Sequence, residues 1–307
     1  MDLAKSISLI VGVLGRAGFV GVLMSAAGWA QSSSGLSANP VEMVRKAVQN
    51  EVKESNAPSA RFMFRGTKTT PAGSATRIYV ETGEATAGMI VAYNGKPLTA
   101  EQRQSEMERL ERFTRNQEEL RRKRTQEHDD AERTMRIVRA LPDAFLYESA
   151  GEAPGSEGVG HAGDSLVKLK FRPNPNYRPP SRVEEVLTGM QGDLLIDAAH
   201  YRIASIDGTL FKEVGFGWGI LGHLNRGGHF LVHQEAVEDN LWEVSCMSLS
   251  FTGRILLVKA LAIDSTEVFS DFRRVSHDLT FAQAVELLKK QEPSVAQSGD
   301  GTNGGPK

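Results

Sequence analysis

The run VGFGWGILGHLNRGGHFLVH, residues 214–233, gathers the residue types most able to do chemistry in this chain. Within it GWGILG (217–222) fits G-x-G-x-x-G, the spacing that cradles a pyrophosphate, and His223, His229 and His233 follow closely. A dinucleotide fingerprint must follow a strand and open a helix, so that free N–H groups and the helix dipole meet the phosphates. Here HLNRGG and then HFLVH in strand rhythm follow, so no helix opens and nucleotide binding is not expected. His229 and His233 share one strand face but stand about 13 Å apart along it. With no H-E-x-x-H and no paired cysteines, no metal site is expected around His223, His229 and His233, and His200 belongs to a different hairpin. Cys246, the single cysteine, sits in the strand-like EVSCMSLSF and reads as a small buried hydrophobe. No nucleophile elbow or phosphate loop accompanies it, so the chain is read as non-catalytic, with no cofactor.

The remaining reading of the glycine run is mechanical. Gly215, Gly217 and Gly219 fall on one face of a strand, and Phe216 and Trp218 on the other. A bare glycine row lets a sheet coil tightly. The bulky side is expected to join Phe230, Leu241 and Leu257 as an apolar hollow or as core.

The elements that must hold this strand are readable from their periods. Asn39 and Pro40 start a helix whose apolar positions Val41, Met43, Val44, Ala47, Val48 and Val52 make one face. ARFMFRGTKTT, ATRIYVETGE and AGMIVAYNG then read as an antiparallel meander. From 99 to about 141 the text is dense in alternating charge, without Gly or Pro, and reads as a helical insertion. Unbroken it would extend about 60 Å, so a break is expected near HDD, residues 128–130. Its RRKR is balanced by flanking acids, and a net charge of −2 exerts no pull on nucleic acid. Ser181 and Glu184 form a capping-box pattern before a short helix. After Gly192, alternating runs at even spacing require antiparallel strands rather than parallel crossovers. TFAQAVELLKKQ closes the domain. The expectation is an α+β fold: a strongly curved antiparallel sheet, or half-barrel, with packed helices, spanning 31–291 as one domain, with a disordered tail over 292–307.

Residues 1–30 carry Lys5 and Arg16, a long apolar stretch, and Gly28 and Ala30 before Gln31, the order of a cleaved export signal. An uncleaved anchor is the rival, burdened by Arg16 within its span. Export to the periplasm or cell envelope is expected.

The segment VLTGMQGDLLIDAAHYRIASIDGTL (186–210) resembles the I-D hairpin followed by R-I in the lipoprotein-carrier superfamily of the bacterial envelope, the group of LolA, LolB and the N-terminal domain of RseB. The architectural likeness spans about residues 40 to 290. It implies binding of a lipid or lipoprotein acyl chain between a half-barrel and its helices. The charged stretch 99–141 looks like an insertion relative to those carriers. It suggests the alternative of an envelope protein-interaction or sensor module that meets its partner through these helices.

Overall fold

The computed structural model describes residues 39–56, 60–216, 222–238, 241–255 and 259–291. The export signal and the tail expected from the sequence lie outside them, as do Trp218 and Leu257. Among the described residues are five α-helices and thirteen strands. The ladders between neighbouring strands are antiparallel, so the α+β class is as expected. The chain divides into two compact units, one of Met1–Ala60 with Asp129–Thr266, the other of Arg61–His128 with Glu267–Lys307.

The second unit holds the meander β1 (Arg61–Thr70), β2 (Gly73–Val80), β3 (Ala87–Tyr93) and β4 (Lys96–Pro97), with helix α2 (Ala100–Arg115). It also holds the first part of α3 (Gln117–Ala144), the last part of β13 (Lys259–Val275), and α5 (Phe281–Gln291). Period-2 alternation decides its faces. Ile78, Val80, Met89 and Val91 point one way, onto Leu110 of α2, Leu120 of α3 and the stripe Phe281, Ala284, Val285 and Leu288 of α5. That stripe has i, i+3, i+4, i+7 spacing, the face an amphipathic helix buries.

Both α2 and α5 begin on reciprocal caps. Thr99 and Gln102 exchange side-chain and backbone bonds, as do Thr280 and Gln283. The outer N–H of Ile90 and C=O of Gly88 on β3 are taken up by the Glu106–Arg109 pair of α2, at 2.8 and 2.6 Å. This ion pair stands where a further strand would, which blunts an edge open to pairing.

The helical break falls at Asn116, not at the expected 128–130. Asn116 closes α2, and its Oδ1 then accepts the N–H groups of Glu118 and Glu119, opening α3. The HDD run stays helical because Asp130 is buried and pairs with Arg133. Strand β12 runs Leu241–Ile255 and β13 Lys259–Val275.

The first unit holds α1 (Pro40–Asn56), the second part of α3, β5 (Phe145–Pro154), β6 (Ser165–Pro173), α4 (Arg182–Glu185), β7 (Met190–Asp197), β8 (Arg202–Leu210), β9 (Val214–Phe216), β10 (Gly222–Leu224), β11 (His229–Glu238), β12 and the start of β13. Its strand order is β12-β11-β8-β7-β6-β5. One row of side chains crosses it: Leu169, Leu194, Ile206, Val232 and Met247, all buried. Register shifts at Leu195/Ile196 and His233/Gln234 mark bulges, which bend a strand and raise its twist.

Replacing Phe281, 1% exposed in the helix–sheet core, by Ala is expected to cost about 3–5 kcal/mol. Denaturant melts of the two proteins check it.

Candidate functional site

Three places in the described chain concentrate groups beyond plain core. The first is a buried junction in the first unit. Helix α1 presents Glu51, which follows Val44, Ala47 and Val48 on its buried face. Arg202, at the start of β8, gives Glu51 two bonds, from Nε at 3.1 Å and Nη2 at 3.2 Å, and its Nη1 meets Glu54. Arg202 and Glu51 are 4% and 3% exposed. The Arg202 guanidinium also lies 5.6 Å from the ring centroid of buried Trp242, a favourable cation–π contact. Burial pushes the Glu51 carboxyl up, against the opposing pull of Arg202 and the Ile203 N–H. A charge pair held this deep serves position, because desolvation of both partners offsets most of their attraction.

The second place adjoins it. The β7–β8 turn is fastened to α1 by Asn50, whose amide donates to the carbonyls of His200 and Tyr201 at 3.1 Å each. Tyr201 takes a left-handed φ of 51° under the ammonium of Lys46. Asp197, 1% exposed, caps the turn: its Oδ1 accepts the N–H groups of Ala199 and His200. Its Oδ2 lies 3.0 Å from His200 Nδ1. Asp164, at the end of the β5–β6 loop, brings a second carboxylate, so that ligand atoms of Asp164, Asp197 and His200 all lie within 4.8 Å of one another. Among the described residues this is the group of His, Cys and carboxylate donors that comes within reach of a single metal ion.

The third place is a face of the second unit. Phe64 and Tyr79 are register partners on β1 and β2 and stack at 5.1 Å. Phe269 and Phe272 of β13 join Phe64 at 5.9 and 5.3 Å. An odd spacing of three would normally put Phe269 and Phe272 on opposite faces. Asp271, at φ 59° and held by Arg65 Nε at 2.7 Å, is the irregularity that returns Phe272 to the same side. Gly66 and Gly88 make room: a Cβ on either would come within 2.7 or 2.9 Å of the Tyr79 ring. The four aromatics are half-buried, and the helices of this unit pack on the other face. Tyr79 donates to Glu267 at 3.2 Å, and burial with the Glu267 charge pushes its phenol up to about 12.

Of the residues singled out by sequence, Phe230 and Leu241 are described throughout. Phe230 is half-buried with its ring over Gly208, where a Cβ would come within 2.8 Å of it, and Leu241 is 6% exposed. Phe216 ends β9 opposite Gly222. The histidines of the glycine run are not brought together. His223 lies 4.0 Å from Glu213, His229 2.8 Å from Asp207, and burial pushes His233 down. Burial pushes the Cys246 thiol up, which disfavours a thiolate. Glu51, Arg202, Asp164 and the aromatic shelf were not anticipated. The one signal within reach was Asp197 three residues before His200 at a turn.

An α+β antiparallel-sheet protein is the class this architecture defines. The chain is similar to a crystal structure described as an outer membrane lipoprotein-sorting protein domain from Vibrio parahaemolyticus, at 12% identity and a TM-score of 0.27, over 80% of this chain and 99% of that one. It is also similar to a DUF1329 family protein from Desulfovibrio piger, at 12% identity and a TM-score of 0.28, over 82% of this chain and all of that one. No protein-family model and no curated protein matches the chain.

Arg202→Met is expected to cost about 3–5 kcal/mol, because it strands Glu51 uncompensated. Glu51→Leu with Arg202→Met should recover most of that loss. A double variant as unstable as the single one would show that the pair does more than hold α1 in place.

Proposed function

We propose that the protein is a non-catalytic binding protein of the cell envelope that holds a lipid or lipoprotein acyl chain against an apolar sheet face. The observation that carries this reading is the aromatic shelf of Phe64, Tyr79, Phe269 and Phe272, with Gly66 between the Tyr79 and Phe269 rings and Gly88 beside Tyr79. A sheet face usually turns polar residues to water. Four partly accessible rings there offer an extended hydrocarbon a flat apolar surface, with Glu267 and Arg77 at its polar margin. Arg77, on the same strand face as Tyr79 and two residues away, is positioned to meet an anionic headgroup at the rim. Export is supported by the Lys5, Arg16, Gly28 and Ala30 pattern.

The set Phe216, Trp218, Phe230, Leu241 and Leu257 is the alternative seat, in the first unit. A second reading, a protein partner held through the helices of 99–141, is favoured by one feature. A groove of about 610 Å³ at the α2–α3 elbow is lined by charged side chains, including Glu111, Arg112, Arg115 and Glu118.

A titration with a fluorescent fatty acid decides between them. Phe64→Ser with Phe269→Ser should weaken binding about tenfold or more, the worth of lost aromatic burial, with the far-ultraviolet circular dichroism unchanged. Loss on Trp218→Arg instead would move the ligand to the first unit. No saturable binding by the unaltered protein would leave the partner reading.

A further inference from the structure

We propose that Asp164, Asp197 and His200 form a site for one divalent transition-metal cation, Zn²⁺ in the first place, which clips the β5–β6 loop to the β7–β8 turn. The donors are of the kind such a cation takes, two carboxylates and an imidazole nitrogen. They come from two segments distant in sequence and converge within 4.8 Å. Zinc bonds of about 2.0–2.2 Å in tetrahedral geometry hold two ligand atoms about 3.3–3.6 Å apart, so the trio needs a closing of as much as about 1 to 1.5 Å at its widest separation. Asp164 is the member free to make it, since its side chain is 44% exposed whereas that of Asp197 is 1% exposed. Asp197 spends Oδ1 on the turn and keeps Oδ2 turned toward His200 Nδ1. One carboxylate thus both builds the turn and presents a ligand atom.

Charge supplies an independent argument. Two carboxylates approach each other here, one of them buried. Among the described residues their ion pairs are to histidines, His161 at 3.8 Å from Asp164 and His200 at 3.0 Å from Asp197, with no Lys or Arg. A buried carboxylate ordinarily needs a paired charge. A cation satisfies both acids at once, and neutral imidazole is the form that ligates.

The loop that the cation would fix is already laid along β11 and β12. Gly160 N–H donates to the Gln234 carbonyl at 2.7 Å, and Gly158 N–H to Glu235 at 3.0 Å. Val159 packs against Leu166, Ala204 and Trp242. The site uses none of His223, His229 or His233, the residues on which the sequence argument against a metal rested.

The test is isothermal titration of the chelator-stripped full chain with ZnCl₂, paired with elemental analysis after dialysis. One zinc per chain is expected, with a higher melting temperature in its presence. Asp164→Asn and His200→Gln, both at partly exposed side chains, should each weaken binding by about a hundredfold, and His229→Gln should leave it unchanged. Absence of stoichiometric binding would overturn the proposal. So would unchanged affinity in Asp164→Asn and His200→Gln, or loss of binding in His229→Gln. Neither result bears on the fatty-acid titration.

Discussion

The salt link of Arg202 to Glu51 and Glu54 is the constraint on which the first unit turns. Helix α1 is amphipathic, but an apolar stripe alone lets a helix slide and rotate over a sheet. A guanidinium fixed by β8 and a carboxylate fixed by the helix accept one relative position, since any other leaves a buried charge without its partner. Once α1 is fixed there, Asn50 reaches the carbonyls of His200 and Tyr201. The β7–β8 turn is thereby set, and with it the direction of Asp197 and His200. Trp242, beneath the guanidinium, belongs to the same small cluster that receives Val159 from the β5–β6 loop.

The second unit rests on a different device. Its sheet carries large apolar side chains on both faces, though to different ends. One face is closed by α2, α3 and α5 around Phe281. The other carries stacked rings whose phase depends on Asp271. Polar contacts at the shelf's margin, Tyr79 with Glu267 and Arg65 with Asp271, keep the rings in register.

Much of the architecture was legible in the sequence because it follows from period. Alternation gave the meander and the later strands, and i, i+3, i+4, i+7 spacing gave α1 and α5. The helical break was misplaced because charge density says little about caps. Asn116 ends one helix and starts the next through its own side chain, whereas Asp130 could be kept in a helix by pairing with Arg133. Strands β9 and β10 flank the glycine run. What could not be read were contacts across long separations. Glu51 and Arg202 lie 151 residues apart, and Phe64 meets Phe269 only once β1 and β13 are neighbours. Asp197 and His200 were visible as a turn, but Asp164 joins them through the course of a loop that no periodicity describes.

The proposed hold on an acyl chain is tested most directly by native mass spectrometry of the protein recovered from an envelope fraction. The account predicts a population heavier than the bare chain by the mass of a lipid or fatty acid, released on denaturation and absent from the Phe64→Ser, Phe269→Ser variant. Folded protein found only at the bare mass, after mild extraction and with a lipid supply present, would contradict it.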